Sequence, residues 1–160
     1  MLRIKVICVG KLKERFYHDA ADEYAKRLYR YCNIEITELS EARISDNPSN
    51  AQIEDALFKE AAAIKKSIQS AALIVALCVE GKQIDSPALS ELIKSTAAGG
   101  TPRLNFIIGG SMGLHNNIKS NADMLISMSK MTFPHHLARI MLLEQLYRAF
   151  NIINCGKYHK

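Results

Sequence analysis

Five short apolar segments alternate along the chain with five longer segments that carry a helical pattern. Each apolar segment lies between turn-forming residues and has a length typical of a buried strand. The predicted strands cover residues 2–9, 34–39, 73–79, 104–108 and 124–128, and the predicted helices cover 14–30, 51–68, 87–97, 114–122 and 135–153. Strands that alternate with helices predict an α/β fold, in which a parallel sheet is covered on both faces. We expect one domain over residues 1–160.

The last predicted helix, "HHLARIMLLEQLYRAFNII", is apolar around most of its circumference. Its polar side chains Glu144, Arg148 and Asn151 follow the spacing i, i+4, i+7 and form one narrow stripe. A helix of this kind has to be buried on most sides. It is therefore expected either to pass deep within its own subunit or to share a face with a second one.

The charge of the chain is uneven. The formal net charge is +5, and the basic excess lies in residues 111–160, which also contain four of the five histidines. This imbalance suits a polyanionic partner. No apolar run approaches the roughly 18 residues that a membrane span needs, and the charged N-terminal segment is unlike a secretory signal. The sequence thus predicts a soluble, cytoplasmic protein without a membrane partner.

The cysteines and histidines do not form a recognisable metal-binding pattern. Cys8, Cys32, Cys78 and Cys155 show no CxxC spacing, which makes a disulfide or zinc framework improbable. Two adjacent histidines, at 135 and 136, cannot face the same way on a helix, and no acidic cluster accompanies them. We predict no metal.

Three segments leave the carboxyl ends of predicted strands, at residues 77–82, 109–113 and 127–134. Ligands bind at this edge of parallel sheets. The glycines of "IGGSMGLH" either allow close approach to a ligand or form a tight turn with no ligand, and their GGxxG spacing differs from the dinucleotide fingerprint. The segment "SMSKMTFPHH" contains no obvious nucleophile or acid, so it either holds a cofactor with its backbone or is simply a strand end followed by a helix start.

Several stretches occur together in an order that identifies a family. The chain contains "GKLKERFY", "EYAKRL", "IGGSMGLH", "SMSKMTFPHHLARIMLLEQLYRAF" and a terminal "YHK". Together they resemble the bacterial ribosomal RNA large-subunit methyltransferase H family of the SPOUT superfamily, over essentially the whole chain. The resemblance implies an α/β fold with a C-terminal trefoil knot, a homodimer, and S-adenosylmethionine-dependent methylation of N3 of a pseudouridine in the 23S ribosomal RNA of the assembled ribosome.

The same resemblance implies the site residues. The cofactor-contacting residues that it places in this sequence are Leu77, Gly109, Met128, Ser129, Lys130, Met131, Thr132 and Phe133. The catalytic candidates are His159, Tyr158 and Arg148. We expect His159 or the terminal carboxylate to remove the N3 proton, Tyr158 to position or stack on the base, and Arg148 to hold phosphate or the pyrimidine oxygens. The alternative is a non-catalytic ribosome-binding or assembly protein, which would bind RNA but not the cofactor.

Overall fold

The computed structural model of the protein describes residues 1–158, and it contains a parallel sheet of five strands in the order β2-β1-β4-β3-β5. The strands are β1 (Arg3–Val9), β2 (Asn33–Leu39), β3 (Leu73–Gln83), β4 (Arg103–Ile108) and β5 (Met124–Ser127). The helices are α1 (Arg15–Leu28), α2 (Asn50–Ser67), α3 (Ser86–Ala98), α4 (Asn116–Lys119) and α5 (His135–Ile153). The predicted α/β fold with a parallel sheet is confirmed. The trefoil knot stays a prediction.

Both faces of the sheet are covered, so that successive side chains of a strand enter different cores. In β1, Val6 and Cys8 pack with α1, α3 and α5, whereas Ile7 and Val9 pack with α2 and α4. The inner part of the sheet therefore shows no alternation, as in the apolar run Val6–Val9 of β1, whereas polar residues interrupt the edge strand β2. No helix within the described residues is long and apolar enough to cross a membrane.

Helix α5 lies against the sheet beside both α1 and α3. Each of its nineteen residues is buried or half-buried in a single chain. Packing within its own subunit thus accounts for most of the apolar surface of this helix. This is the first of the two arrangements that the sequence allowed. The apolar helix alone does not require a dimer.

Strand β3 differs from the sequence prediction, which ended it at residue 79. Leu77 and Lys82 both pair with Ile126 of β5, so residues 78–81 form a bulge after which the strand resumes. A Cβ on Gly81 would lie 2.6 Å from the carbonyl carbon of Ile126. Glycine is needed there because the two backbones approach so closely.

A buried ion pair ties α5 to the carboxyl ends of β1 and β2. Arg139 is 1% exposed, binds the Glu38 carboxylate at 2.5 Å and donates a second hydrogen bond of 2.7 Å to the Gly10 carbonyl. Glu38 also accepts a bond of 3.0 Å from the Leu12 N–H. Burial by itself would raise the pKa of Glu38, but the bonds from Leu12 and Arg139 bring it below its ordinary value of 4.5.

Replacing Glu38 by glutamine is expected to lower the free energy of unfolding at pH 7 by about 3 kcal/mol, because Arg139 would stay buried without a counter-ion. The pKa of Glu38 is lower in the folded than in the unfolded protein. Its charge therefore stabilises the fold above about pH 4.5, and this contribution is lost as the pH falls through the folded pKa. Denaturant unfolding at pH 7 and at several acidic pH values measures this effect. The free energy of unfolding should fall less steeply with decreasing pH in Glu38→Gln than in the parent protein.

The matched control for this variant is Glu23→Gln, which removes an exposed i, i+4 pair with Arg27 on α1. An exposed pair of this kind contributes at most about 0.5 kcal/mol. Equal stabilities of the two variants at pH 7 would contradict the role given to the buried pair.

Candidate active site

The three segments at the carboxyl edge of the sheet line one cavity of about 710 Å³. The first is the bulge of β3, the second is the glycine-rich turn after β4, and the third is the loop between β5 and α5. Seven of the eight residues expected to contact the cofactor line the cavity, namely Leu77, Gly109, Met128, Ser129, Met131, Thr132 and Phe133. The eighth, Lys130, is exposed and is not part of the lining.

The glycine-rich turn is packed against itself. A Cβ on Gly109 would lie 2.3 Å from the carbonyl oxygen of Gly113, and the Gly113 N–H donates a bond of 3.1 Å to the Gly110 carbonyl. Gly113 has a φ of +81°, which favours glycine. Of the two explanations that the sequence left open, tight packing of the turn accounts for Gly109, and the same turn forms a wall of the cavity.

The loop between β5 and α5 uses its small polar side chains to fix its own backbone. Ser127 Oγ donates a bond of 2.8 Å to the Ser129 carbonyl, and Ser129 Oγ accepts one of 3.0 Å from the Met131 N–H. Pro134 follows, and its carbonyl accepts the first bond of α5, 2.9 Å from the Ala138 N–H. A loop held in this way presents a defined set of main-chain donors and acceptors to a ligand.

Apolar side chains dominate the cavity wall, and its ionisable groups are paired or buried. Lys119 and Glu80 pair with each other at 2.5 Å. Burial raises the pKa of the Cys78 thiol, so that the nucleophilic thiolate is disfavoured. Burial lowers the pKa of His135, whose Nε2 is buried without a hydrogen-bond partner among the described residues. The lining is thus built for binding rather than for covalent catalysis.

Glu41 is a part of this edge that sequence reasoning missed. Its carboxylate accepts a bond of 2.7 Å from the Ser111 N–H and a second from the Ser111 hydroxyl. A Cβ on Gly110 would lie only 2.7 Å from this carboxylate, so the second glycine of the pair makes room for it. Residues 40–50 look like a mobile polar loop in the sequence, and a contact over 70 positions leaves no local signal.

Two of the three catalytic candidates, Arg148 and Tyr158, are not part of the cavity wall of their own chain. Glu144 joins Arg148 and Tyr158, with distances of 3.0 Å from Arg148 Nε and 3.2 Å from the Tyr158 hydroxyl. The Arg148 guanidinium lies over the Tyr158 ring, 4.7 Å from its centroid. Neither residue lines the cavity, whose last lining residue on α5 is Ala138. Ten residues of helix, roughly 15 Å, separate Ala138 from Arg148.

The charge states of this cluster follow from its contacts. Burial and hydrogen bonding raise the pKa of Tyr158 to about 12, which keeps the phenol protonated at neutral pH. The bond to Glu144 raises the pKa of Arg148 further, so the guanidinium stays a cation. Tyr158 is therefore available as a hydrogen-bond donor and a stacking surface, but not as a base. His159 lies outside the described residues.

Comparison with known proteins places this site in a family. A family model described as a predicted SPOUT methyltransferase matches residues 2–159. The ribosomal RNA large subunit methyltransferase H proteins of Streptococcus pyogenes serotype M5 (strain Manfredo) and serotype M12 (strain MGAS2096) are each 46% identical to the chain, over 99% of its length and all of theirs.

A solved structure shares the fold. The structure of a probable methylase family protein from Haemophilus influenzae Rd KW20 covers 98% of this chain and 70% of that chain, with a TM-score of 0.53 and 15% identity. At this identity the likeness concerns the fold alone. The family match and the two relatives extend over nearly the full chain and include all three loops of the cavity. The chain belongs to the SPOUT methyltransferase family, and it is an enzyme of the methyltransferase class.

Proposed function

We propose that the protein transfers a methyl group from S-adenosylmethionine to N3 of a pseudouridine in the 23S ribosomal RNA of the assembled ribosome, and that it works in the cytoplasm. The observation that carries the proposal is the cavity formed by three loops at the carboxyl edge of the parallel sheet. The names of the relatives and the family-like sequence stretches support the substrate.

The cavity suits S-adenosylmethionine in size and in chemistry. Its volume of about 710 Å³ is within the range of cofactor sites. Leu77, Met128 and Phe133 offer apolar surface to an adenine ring, and the fixed backbones of the three loops offer donors and acceptors to its polar edge. Gly109, Gly110 and Gly113 leave part of one wall without side chains, so a ligand can approach the main chain there.

The bound cofactor supplies a methyl group on a sulfonium, which needs no covalent intermediate on the enzyme. The loops have to hold the donor in line with the attacking nitrogen and to exclude water, because the transfer to a deprotonated nitrogen reduces charge separation. The apolar lining of the cavity is consistent with this requirement. What the chain still has to provide is removal of the N3 proton.

We assign that proton transfer to the C-terminal tail. The ordinary pKa of a histidine, near 6.5, suits His159 for proton transfer at neutral pH, and the terminal carboxylate is the second candidate. Tyr158 remains protonated and contributes a hydrogen bond or a stacking face, and Arg148 contributes a positive charge for phosphate or for the pyrimidine oxygens.

The position of Arg148 relative to the cavity supports a homodimer. Roughly 15 Å of helix separates Arg148 from Ala138, the last residue of α5 on the cavity wall, so Arg148 does not line the cavity of its own chain. A partner related by two-fold symmetry would bring the tail of one chain to the cavity of the other. On α5, Leu137, Met141, Glu144 and Arg148 form a partly exposed stripe available to such a partner.

Sedimentation at low micromolar concentration is expected to show a species with twice the 17.9 kDa mass of one chain. The substitution Leu137→Glu, which puts a charge on the partly exposed stripe, should shift this species toward the monomer and abolish methyl transfer. The control is Phe58→Glu, at an exposed aromatic residue on α2, far from the stripe in sequence. A monomer with full activity would contradict the dimer.

Two measurements test the proposed function. Calorimetric titration of the purified protein with S-adenosylmethionine should give a single class of binding site. Incubation with ribosomes that lack the modification should then yield N3-methylpseudouridine in nucleosides from 23S RNA, detected by mass spectrometry. Binding of ribosomes without any affinity for the cofactor would instead support the non-catalytic alternative, and methylation of another position would correct the proposed target.

A further inference from the structure

Half of the positive charge in the C-terminal third is neutralised by ion pairs within the described residues. Of its six lysines and arginines, three are engaged in ion pairs, since Lys119 binds Glu80, Arg139 binds Glu38 and Arg148 binds Glu144. Arg139 is in addition buried. Cations that are exposed and lack a carboxylate partner are therefore the candidates for an RNA-binding surface, and they occur outside this third as well.

The loop between β1 and α1 carries two such cations. Lys11 and Lys13 are exposed, and neither is within ion-pair distance of a carboxylate among residues 1–158. Leu12 between them is 7% exposed and belongs to the core. With the middle side chain directed inward, the two flanking lysines are left on the surface of one short loop.

The backbone of this loop is fixed from three sides. The Gly10 carbonyl accepts a bond of 2.7 Å from Arg139, and the Leu12 N–H donates one of 3.0 Å to Glu38. His18 Nε2 donates a bond of 2.8 Å to the Leu12 carbonyl. The buried ion pair thus serves to hold a surface loop. A loop ordered in advance loses little entropy when its lysines bind an anion.

The loop lies beside the rim of the cavity. His135, a lining residue, is so close to Gly10 that a Cβ there would come within 2.9 Å of its Nε2. The next residue, His136, lies 3.9 Å from the Glu14 carboxylate, and its ring is 5.9 Å from that of Tyr17. These contacts join the loop and the start of α1 to the first turn of α5, which follows the cavity loop directly.

An exposed aromatic side chain accompanies the lysines. Phe16 is 64% exposed at the start of α1, and its ring centroid lies 4.3 Å from that of Tyr17. Exposed lysines next to an exposed aromatic ring are the combination that binds single-stranded nucleic acid, through phosphate contacts and base stacking. A small anionic ligand would require only the charges.

We infer that Lys11 and Lys13 form a preformed phosphate-binding surface for the ribosomal RNA strand that flanks the target base. The inference rests on the proposed function. When the target base is held at the cavity, the RNA strand extends from it on both sides. The phosphates of the neighbouring nucleotides then pass over the loops around the rim. Two exposed ammonium groups on a fixed loop at that rim are suited to hold one side of the strand.

The test compares Lys11→Ala/Lys13→Ala with the control Lys65→Ala/Lys66→Ala. The control lysines are likewise exposed and close in sequence. They are in the last turn of α2 and therefore lie at the opposite edge of the sheet. For each protein, the Kd for S-adenosylmethionine and the KM and kcat with unmodified ribosomes are measured over a series of KCl concentrations. Lys11→Arg/Lys13→Arg tests whether positive charge is sufficient.

We expect the alanine variant to raise KM for ribosomes about 10-fold at moderate salt and to reduce the slope of log KM against log salt by about 1 per lysine. The Kd for the cofactor and kcat at saturating ribosomes should be unchanged, and the arginine variant and the α2 control should behave as the parent. An unchanged KM, or a raised KM with an unaltered salt slope, overturns the inference while the proposed function stands. A parent protein that does not bind ribosomes overturns both.

Discussion

Replacing His159 by alanine is expected to lower the rate of methyl transfer by about 100-fold or more, while the affinity for S-adenosylmethionine changes by no more than a few-fold. The loss is the usual magnitude for a positioned proton-transfer group. The cofactor loops lie before Pro134, so the tail should not affect cofactor binding. Single-turnover rates with saturating ribosomes measure the chemical step and remove weaker RNA binding as a cause.

Deletion of residues 158–160 should be at least as harmful as His159→Ala, because the deletion also removes Tyr158 and the carboxylate at its native position. The control is Lys157→Ala, which changes an exposed residue of the same tail. If His159→Ala transferred methyl at the parent rate, histidine would not be the base, and the deletion would then report on Tyr158 and the carboxylate together.

Replacing Gly109 by alanine is expected to lower the affinity for S-adenosylmethionine by at least about 100-fold. The added Cβ would lie 2.3 Å from the carbonyl oxygen of Gly113, a contact that only a backbone shift can relieve. A shift of this kind displaces a wall of the cavity, and displacements near 1 Å cost about this much in positioning. Calorimetric titration with the cofactor measures the effect. Gly109→Val should be more damaging for the same reason.

The control for this variant is Gly100→Ala, at an exposed glycine whose Cβ would meet nothing within 4 Å. It should bind the cofactor as the parent does. Thermal unfolding of both variants shows whether any loss is local to the turn. Native cofactor affinity in Gly109→Ala would remove the glycine turn from the binding site.

The variants Gly109→Ala and His159→Ala, combined in one dimer, test the proposed arrangement of the two subunits. If the tail of one subunit completes the cavity of the other, a mixed dimer of Gly109→Ala and His159→Ala contains one intact site. Homodimers of either variant contain none. If the tail serves its own cavity, the mixed dimers stay inactive. Recovery of methyl transfer on mixing the subunits would therefore establish the arrangement.

The sequence predicted the elements well because burial on both faces leaves a plain local signal. The second half of β1, between two cores, is the continuous apolar run Val6–Val9, and α5 begins at His135, where Pro134 ends the preceding loop. The position of the cavity also followed from topology, since three strand ends meet at one edge.

What the sequence could not predict are contacts between residues distant in the chain. The bulge of β3 depends on how Gly81 meets Ile126, and the role of Glu41 depends on a bond to Ser111. The charge count by segment misleads for the same reason, because Lys119 and Arg139 are neutralised by Glu80 and Glu38, which only the fold brings near. The knot was predicted from resemblance alone, and the dimer from resemblance together with the apolar pattern of α5.

The bond between Arg139 and Glu38 also bears on how the protein is made. It joins residues 101 positions apart, and the bond from Arg139 to the Gly10 carbonyl spans 129 positions. During synthesis, the Glu38 carboxylate thus has no counter-ion until nearly the whole chain has left the ribosomal exit tunnel. Contacts of such separation close late and slow folding. We expect nascent chains that end before α5 to be sensitive to proteases, and the cofactor edge to be the last part of the enzyme to mature.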